Sequence, residues 1–155
     1  MEHTMNLTDL IKEDLILIDL KAEDKFELIN ILYTKLHDKG YVGESYLKGI
    51  LEREKLYPTG ISLGSTYNVA IPHTEADYVL KPAICLAILD NPIKFKRMDN
   101  PDEEIEVDAV FMIALNDKEK QAILLEKLIQ AFTNEELMKQ LLKEKEAKNI
   151  ITLFK

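Results

Sequence analysis

Two apolar runs constrain this chain more than any other feature. Ala83 to Leu89 is almost continuously apolar, and Ile105 to Leu115 alternates at first and then turns uniformly apolar. A strand reads this way when both faces of its sheet are covered, so helices are needed on either side. Residues 23 to 39 carry Phe26, Ile29, Leu32 or Tyr33, and Leu36 at three- and four-residue steps, and Gly40 is placed to end that helix. A second helix is expected from Glu44 to about Glu54, burying Tyr46, Leu47, Ile50 and Leu51, with Pro58 as its latest stop. Leu15 to Ile18 is a short strand candidate. Gly60–Leu63 and Asn68–Ile71 are two more, joined by a turn in a stretch with little charge. Past Leu115 the pattern is helical. Ala122, Leu125, Leu128, Ile129 and Phe132 form a stripe, Asn134 caps a helix to about Lys143, and a last short helix brings Ile150, Ile151 and Phe154 to the core. The expectation is a single α/β domain over residues 1–155, a mixed β-sheet with helices packed on both faces, with residues 1–6 mobile.

Composition narrows the function. The 155 residues are 46% hydrophobic and 31% charged, a globular balance, and the net charge of -8 argues against nucleic acid as a main ligand. No run approaches the length of a membrane span, and Met1-Glu2-His3-Thr4 does not read as a secretory signal, so a cytoplasmic location is expected. The one cysteine, Cys85, lies inside an apolar run and reads as a small buried hydrophobe in a reducing compartment.

Of the three histidines, His3 lies in the polar N-terminal stub and His37 in the last turn of the first long helix, where it suits the helix dipole. His73 differs. It follows the strand-like Val69-Ala70-Ile71 and a proline expected to end strand pairing, and it opens a polar run, Thr74 to Asp77. Imidazole is nucleophilic near neutral pH and forms covalent intermediates, although a lone strand-end histidine is more often structural. Three sharper motifs fail. Gly60-Ile61-Ser62-Leu63-Gly64 has the esterase spelling, but a strand-like stretch follows it and no acid lies between Ser62 and His73. His73-Thr74-Glu75 has the zinc-deaminase fragment without its cysteine pair. His73, Glu75 and Asp77 alternate as if on one face of an extended segment, but no further histidine is placed to complete a metal site. No nucleotide-binding P-loop is present.

Arg53-Glu54, then Pro58-Thr59-Gly60-Ile61, then Val69-Ala70-Ile71-Pro72-His73 resemble the enzyme IIA domains of the bacterial sugar phosphotransferase system, mannitol/fructose class. The likeness continues through Pro82-Ala83-Ile84 and Val110 to Leu115, and covers about residues 8 to 155. Tyr57-Pro58-Thr59-Gly60, and Lys120-Gln121 opening a later helix, look closest to the galactitol branch. The resemblance implies a phosphotransferase component without cofactor or metal. His73 would take a phosphoryl group from the histidine phosphocarrier protein and pass it to a cysteine of a IIB domain, which serves the membrane IIC component. Arg53 would steady the phosphoryl oxygens with its planar, permanently charged fork. The second histidine of the mannitol and fructose branches is replaced by Gln121, whose amide can donate a hydrogen bond but cannot gain charge. Thr59 and Glu54 are weaker supporting candidates. Glu75 and Asp77 are either solvated loop charges or contacts for a basic partner. The alternative function is a stand-alone regulatory phosphoprotein acting on transcription or transporters.

Overall fold

The two apolar runs become the centre of one sheet. In the computed structural model, which describes residues 6–63 and 67–155, β1 (Ile11–Leu20), β2 (Gly60–Ser62), β3 (Asn68–Ala70), β4 (Ala83–Lys96) and β5 (Glu104–Ala114) form a five-stranded mixed sheet in the order β1-β4-β5-β3-β2. β4 and β5 pair antiparallel, while β1 runs parallel to β4 and β3 parallel to β5. β2 and β3 form the expected antiparallel pair. The mobility expected of residues 1–6, His3 with it, and the second turn glycine, Gly64, fall on or beside segments outside the described residues.

Alternation along β4 and β5 sorts the core into two layers. Ala83, Cys85, Ala87, Val110, Met112 and Ala114 face α2 (Lys25–Asp38) and α3 (Ser45–Leu56). Ile84, Leu86, Ile88, Ala109, Phe111 and Ile113 face α1 (Leu7–Leu10), α4 (Lys118–Phe132), α5 (Glu135–Lys143) and α6 (Ala147–Leu153). Helices cover both faces, as the sequence predicts. Local signals also hold. The Asn134 side chain caps α5 as expected, and Asp24 and Asp117, not singled out from the sequence, cap α2 and α4 in the same way. Gly40, at φ 81, ends α2, with its N–H on the His37 carbonyl and the Tyr41 N–H on the Leu36 carbonyl.

Other expectations shift. β1 is longer than Leu15–Ile18, and β4 continues past Leu89 to Lys96 through an irregularity between Ile88 and Ile93; the polar Asp90-Asn91 pair breaks the apolar pattern without breaking the strand. The α4 stripe is Leu124, Leu128 and Phe132, with Ala122 and Ile129 exposed. Phe26 is 58% exposed, over a groove shared with Leu51 and Lys96. Asp77 sits in a 3-10 turn (Ala76–Tyr78), so His73, Glu75 and Asp77 do not lie along one extended face. No described helix is long and apolar enough to cross a membrane.

Candidate active site

His73 stands just beyond β3, at the carboxyl end of two parallel strands. Pro72 does not end the pairing as expected, because its carbonyl accepts from the Ile113 N–H at 2.9 Å. The chain therefore remains registered on β5 up to the residue before the histidine. In open α/β sheets the carboxyl ends of parallel strands are where ligands are met.

The ring is oriented by its own backbone. His73 Nδ1 lies 2.8 Å from the Ile71 carbonyl oxygen. A carbonyl only accepts, so Nδ1 carries the proton and Nε2 keeps its lone pair. His73 is 7% exposed. Burial pushes its pKa below the ordinary 6.5, opposed by the Ile71 hydrogen bond, and the Arg53 charge lowers it further while Glu75 raises it. Burial and the Arg53 charge thus both favour the neutral imidazole over the imidazolium.

Arg53 comes from the last turn of α3. Its Nη1 is 3.5 Å from Glu75 Oε1, its guanidinium lies 5.0 Å from the centre of the Tyr57 ring, and its buried Nε has no hydrogen-bond partner. A buried N–H donor without an acceptor is unusual. Gly49 makes the approach of α3 possible. A Cβ there would stand 2.8 Å from both Thr74 Oγ1 and the Tyr78 ring, so only glycine lets the helix lie against the loop after His73. Tyr46 fastens the same helix to β5 through its hydroxyl, which donates to the Ile113 carbonyl at 2.6 Å. A hollow of 220 Å³ opens between these elements, lined by Gly49, Arg53, Leu56, Tyr57, Glu75 and Tyr78, among others.

Glu54 and Thr59 are interlocked, with Glu54 lining a separate groove beside Lys25 and Lys96. Glu54 is buried, its Oε2 accepting from the Thr59 N–H at 2.9 Å and its Oε1 from the Thr59 hydroxyl at 2.7 Å. Burial raises Glu54 to about 7, against the pull of these two hydrogen bonds and of Lys25. Gln121 lies in the first turn of α4, one helical turn after Lys118, whose Nζ is 3.8 Å from Glu75 Oε2. Gln121 has no hydrogen bond to His73 or Arg53, and its buried Oε1 has no partner. Turning the amide over would put an unpaired N–H donor at that point. The structure thus joins His73, Arg53, Glu54 and Thr59, and leaves Gln121 on the adjoining helix. Gly49 and Lys118 escaped the sequence reading, and Thr74 and Tyr57 entered it only as parts of a polar run and of a family spelling. Of these only Gly49, a glycine inside a helical pattern, carries a local signal. No group of three or more potential metal ligands occurs among the described residues.

The fold is that of a known class of domain. The crystal structure of mannitol IIA from Escherichia coli superposes with a TM-score of 0.73 at 25% identity, covering 92% of this chain and 96% of that one. Enzyme IIAMTL in complex with phosphorylated enzyme IIBMTL, also from Escherichia coli, gives 0.75 at 24%, covering 92% and 95%. Residues 9–155 match the family described as phosphoenolpyruvate-dependent sugar phosphotransferase system, EIIA 2, and the chain belongs to that family. Its relatives include the fructose-specific EIIABC component of Bacillus subtilis (strain 168), 28% identical over 97% of this chain and 23% of the relative. The transcriptional regulator ManR of the same strain is 32% identical over 68% of this chain and 15% of the regulator. The galactitol-specific EIIA component of Escherichia coli (strain K12) is 29% identical over 66% of this chain and 67% of the relative. The chain therefore spans less than a quarter of the length of the first two.

Proposed function

We propose that this chain is a cytoplasmic phosphocarrier that accepts a phosphoryl group on His73 Nε2 from the histidine phosphocarrier protein. It then delivers that group to a IIB cysteine during uptake of a sugar or sugar alcohol. The observation that carries the reading is the His73 ring, held by Nδ1 on the Ile71 carbonyl with Nε2 unengaged, close enough to Arg53 for that charge to lower its pKa. In the first transfer the Nε2 lone pair forms a bond to phosphorus as the donor's N–P bond breaks. In the second, the IIB thiolate attacks phosphorus and the electron pair returns to Nε2. Little else is asked of the protein in phosphoryl transfer beyond alignment and charge for the oxygens. Arg53 supplies that charge, and its unpartnered Nε gives a donor ready for one oxygen. Gln121 takes the supporting place without a second histidine. Leu56 and Tyr57, 70% and 62% exposed beside the hollow, give a partner protein an apolar rim to dock on. No metal or cofactor takes part in this scheme.

The galactitol branch is the pathway favoured by Tyr57-Pro58-Thr59-Gly60 and by the 29% identical galactitol component. A regulatory role has its own support in the 32% identity to ManR. The deciding experiment incubates the protein with phosphoenolpyruvate, enzyme I and the histidine phosphocarrier protein. An acid-labile phosphoryl adduct is expected, absent in His73→Ala. Full labelling of that variant would sink the reading. Onward transfer to a galactitol IIB, and not to a regulatory target, separates transport from regulation.

A further inference from the structure

A continuous path of hydrogen bonds leads from Glu54 to the His73 ring. The Glu54 carboxyl holds Thr59 at its N–H and its hydroxyl, at 2.9 and 2.7 Å. The Thr59 carbonyl accepts from the Ile71 N–H at 3.3 Å, one pair beyond the β2–β3 ladder. The Ile71 carbonyl accepts from His73 Nδ1 at 2.8 Å. Both Glu54 and Thr59 are buried, 4% and 1% exposed.

This arrangement is costly where it stands. A carboxyl in the last turn of α3 faces the negative end of the helix dipole. Burying it is unfavourable unless its oxygens are engaged, and a well-packed apolar side chain would serve stability as well. What an apolar residue could not do is seize Thr59 at two atoms and so fix the start of β2. That strand edge sets Ile71, and Ile71 decides which nitrogen of His73 bears the proton. Glu54 also follows Arg53 directly in α3, so one residue ties the turn carrying the guanidinium to the strand carrying the imidazole.

We propose that Glu54 is a positioning residue for phosphoryl transfer, acting through Thr59 and Ile71 to hold the His73 ring in the Nδ1–H tautomer and in register with Arg53. The role rests on His73 being the phosphoryl acceptor. The links are joined through the backbone of Thr59 and Ile71, so the coupling is one of position: moving Thr59 moves the carbonyl that holds the ring. A misplacement of about 1 Å in such a site costs on the order of a hundredfold in rate.

Two measurements on the same variants test it. Nitrogen-15 NMR of the ring reports which nitrogen of His73 is protonated, with no phosphoryl donor present. Phosphorylation by the histidine phosphocarrier protein, run over a range of donor concentration, separates maximal rate from KM. Glu54→Leu and Thr59→Val should each shift the ring toward a mixture of tautomers and lower the maximal rate by roughly ten- to a hundredfold, with KM for the donor nearly unchanged. Restoring the hydroxyl in Thr59→Ser should recover both signals relative to Thr59→Val. If Glu54→Leu does not fold, Thr59→Val and Thr59→Ser decide alone. Folded variants with an unaltered tautomer and maximal rate overturn the proposal while leaving His73 as acceptor. Labelling of His73→Ala would remove the acceptor itself, and the positioning role with it.

Discussion

The centre of the sheet and its β2–β3 corner are built from different material. From Ala83 to Ile88, β4 buries only hydrocarbon and one thiol, and burial pushes Cys85 up to about 12, so it stays an inert, protonated hydrophobe. The buried polar side chains found among the described residues, Glu54, Thr59, His73 and Thr74, all belong to the corner. The centre follows from area removed from water, which is non-directional and tolerant of detail. The corner follows from angles and distances. It needs a helix brought close by Gly49, a carboxyl with both oxygens engaged and a ring held by a single carbonyl. Stability and chemistry are therefore separable in this molecule, and substitutions should sort accordingly.

The sharpest division is expected at Arg53. Arg53→Ala should slow phosphoryl acceptance on the order of 10²–10³-fold, as loss of a donor to developing oxygen charge does, with little change in unfolding midpoint. Arg53→Lys should recover only part of the rate because an ammonium lacks the planar fork. Stopped labelling assays beside thermal melts check both. Leu86→Ala probes the other region. It should cost about 2–5 kcal/mol of stability as a core cavity, read by denaturant unfolding, while the rate per folded molecule stays put. A slowed rate in folded Leu86→Ala would break the separation.

A subtler test uses pH. The folded-state value for Glu54, about 7, lies above the ordinary 4.5, so the folded protein keeps a proton that the unfolded chain releases. The associated stability is full below 4.5 and is lost as pH rises through about 7. His73, lowered from 6.5, works the other way: its contribution is present above 6.5 and lost as pH falls through its depressed folded-state value. Glu54→Gln should delete the first component, so its stability relative to wild type should improve between pH 5 and pH 8 by on the order of 1–3 kcal/mol. Lys25, Lys55, Lys96, Glu52 and Glu104 line the same groove as Glu54. Denaturant unfolding across the range measures it. The smallest effect belongs to His37, which stacks on Tyr33 and pairs with Asp38 on the far end of α2. Replacing His3 and His37 together should leave phosphoryl acceptance unchanged, and a folded double variant that fails to accept phosphate would bring a second histidine back into the site.

How far the corner was legible depends on the kind of signal each residue emits. His73 stands out because a proline-bounded strand ends at it, and Arg53 because a family spelling surrounds it. Gly49 reads only as a weak helix position until Thr74 and Tyr78 are found 2.8 Å from where a Cβ would stand. Glu54 shares that spelling but reads only as a weaker supporting candidate, since nothing in the local pattern says that it points inward to Thr59.

The sequence by itself determined the apolar strands, the helix caps at Asp24, Asp117 and Asn134, the glycine that ends α2, and the placing of His73 at a strand end. Each is a local matter, decided by periodicity, by a side chain reaching its own backbone, or by a φ that only some residues accept. Tertiary structure alone decided which stripe of α4 is buried, that β4 runs on through Asp90-Asn91, and that Arg53, Glu54, Thr59 and His73 meet at one corner. A helix with several apolar residues around it buries whichever face the sheet presents to it. A buried carboxyl is tolerated only where partners from another segment reach both its oxygens, and that reach exists only once the chain has folded.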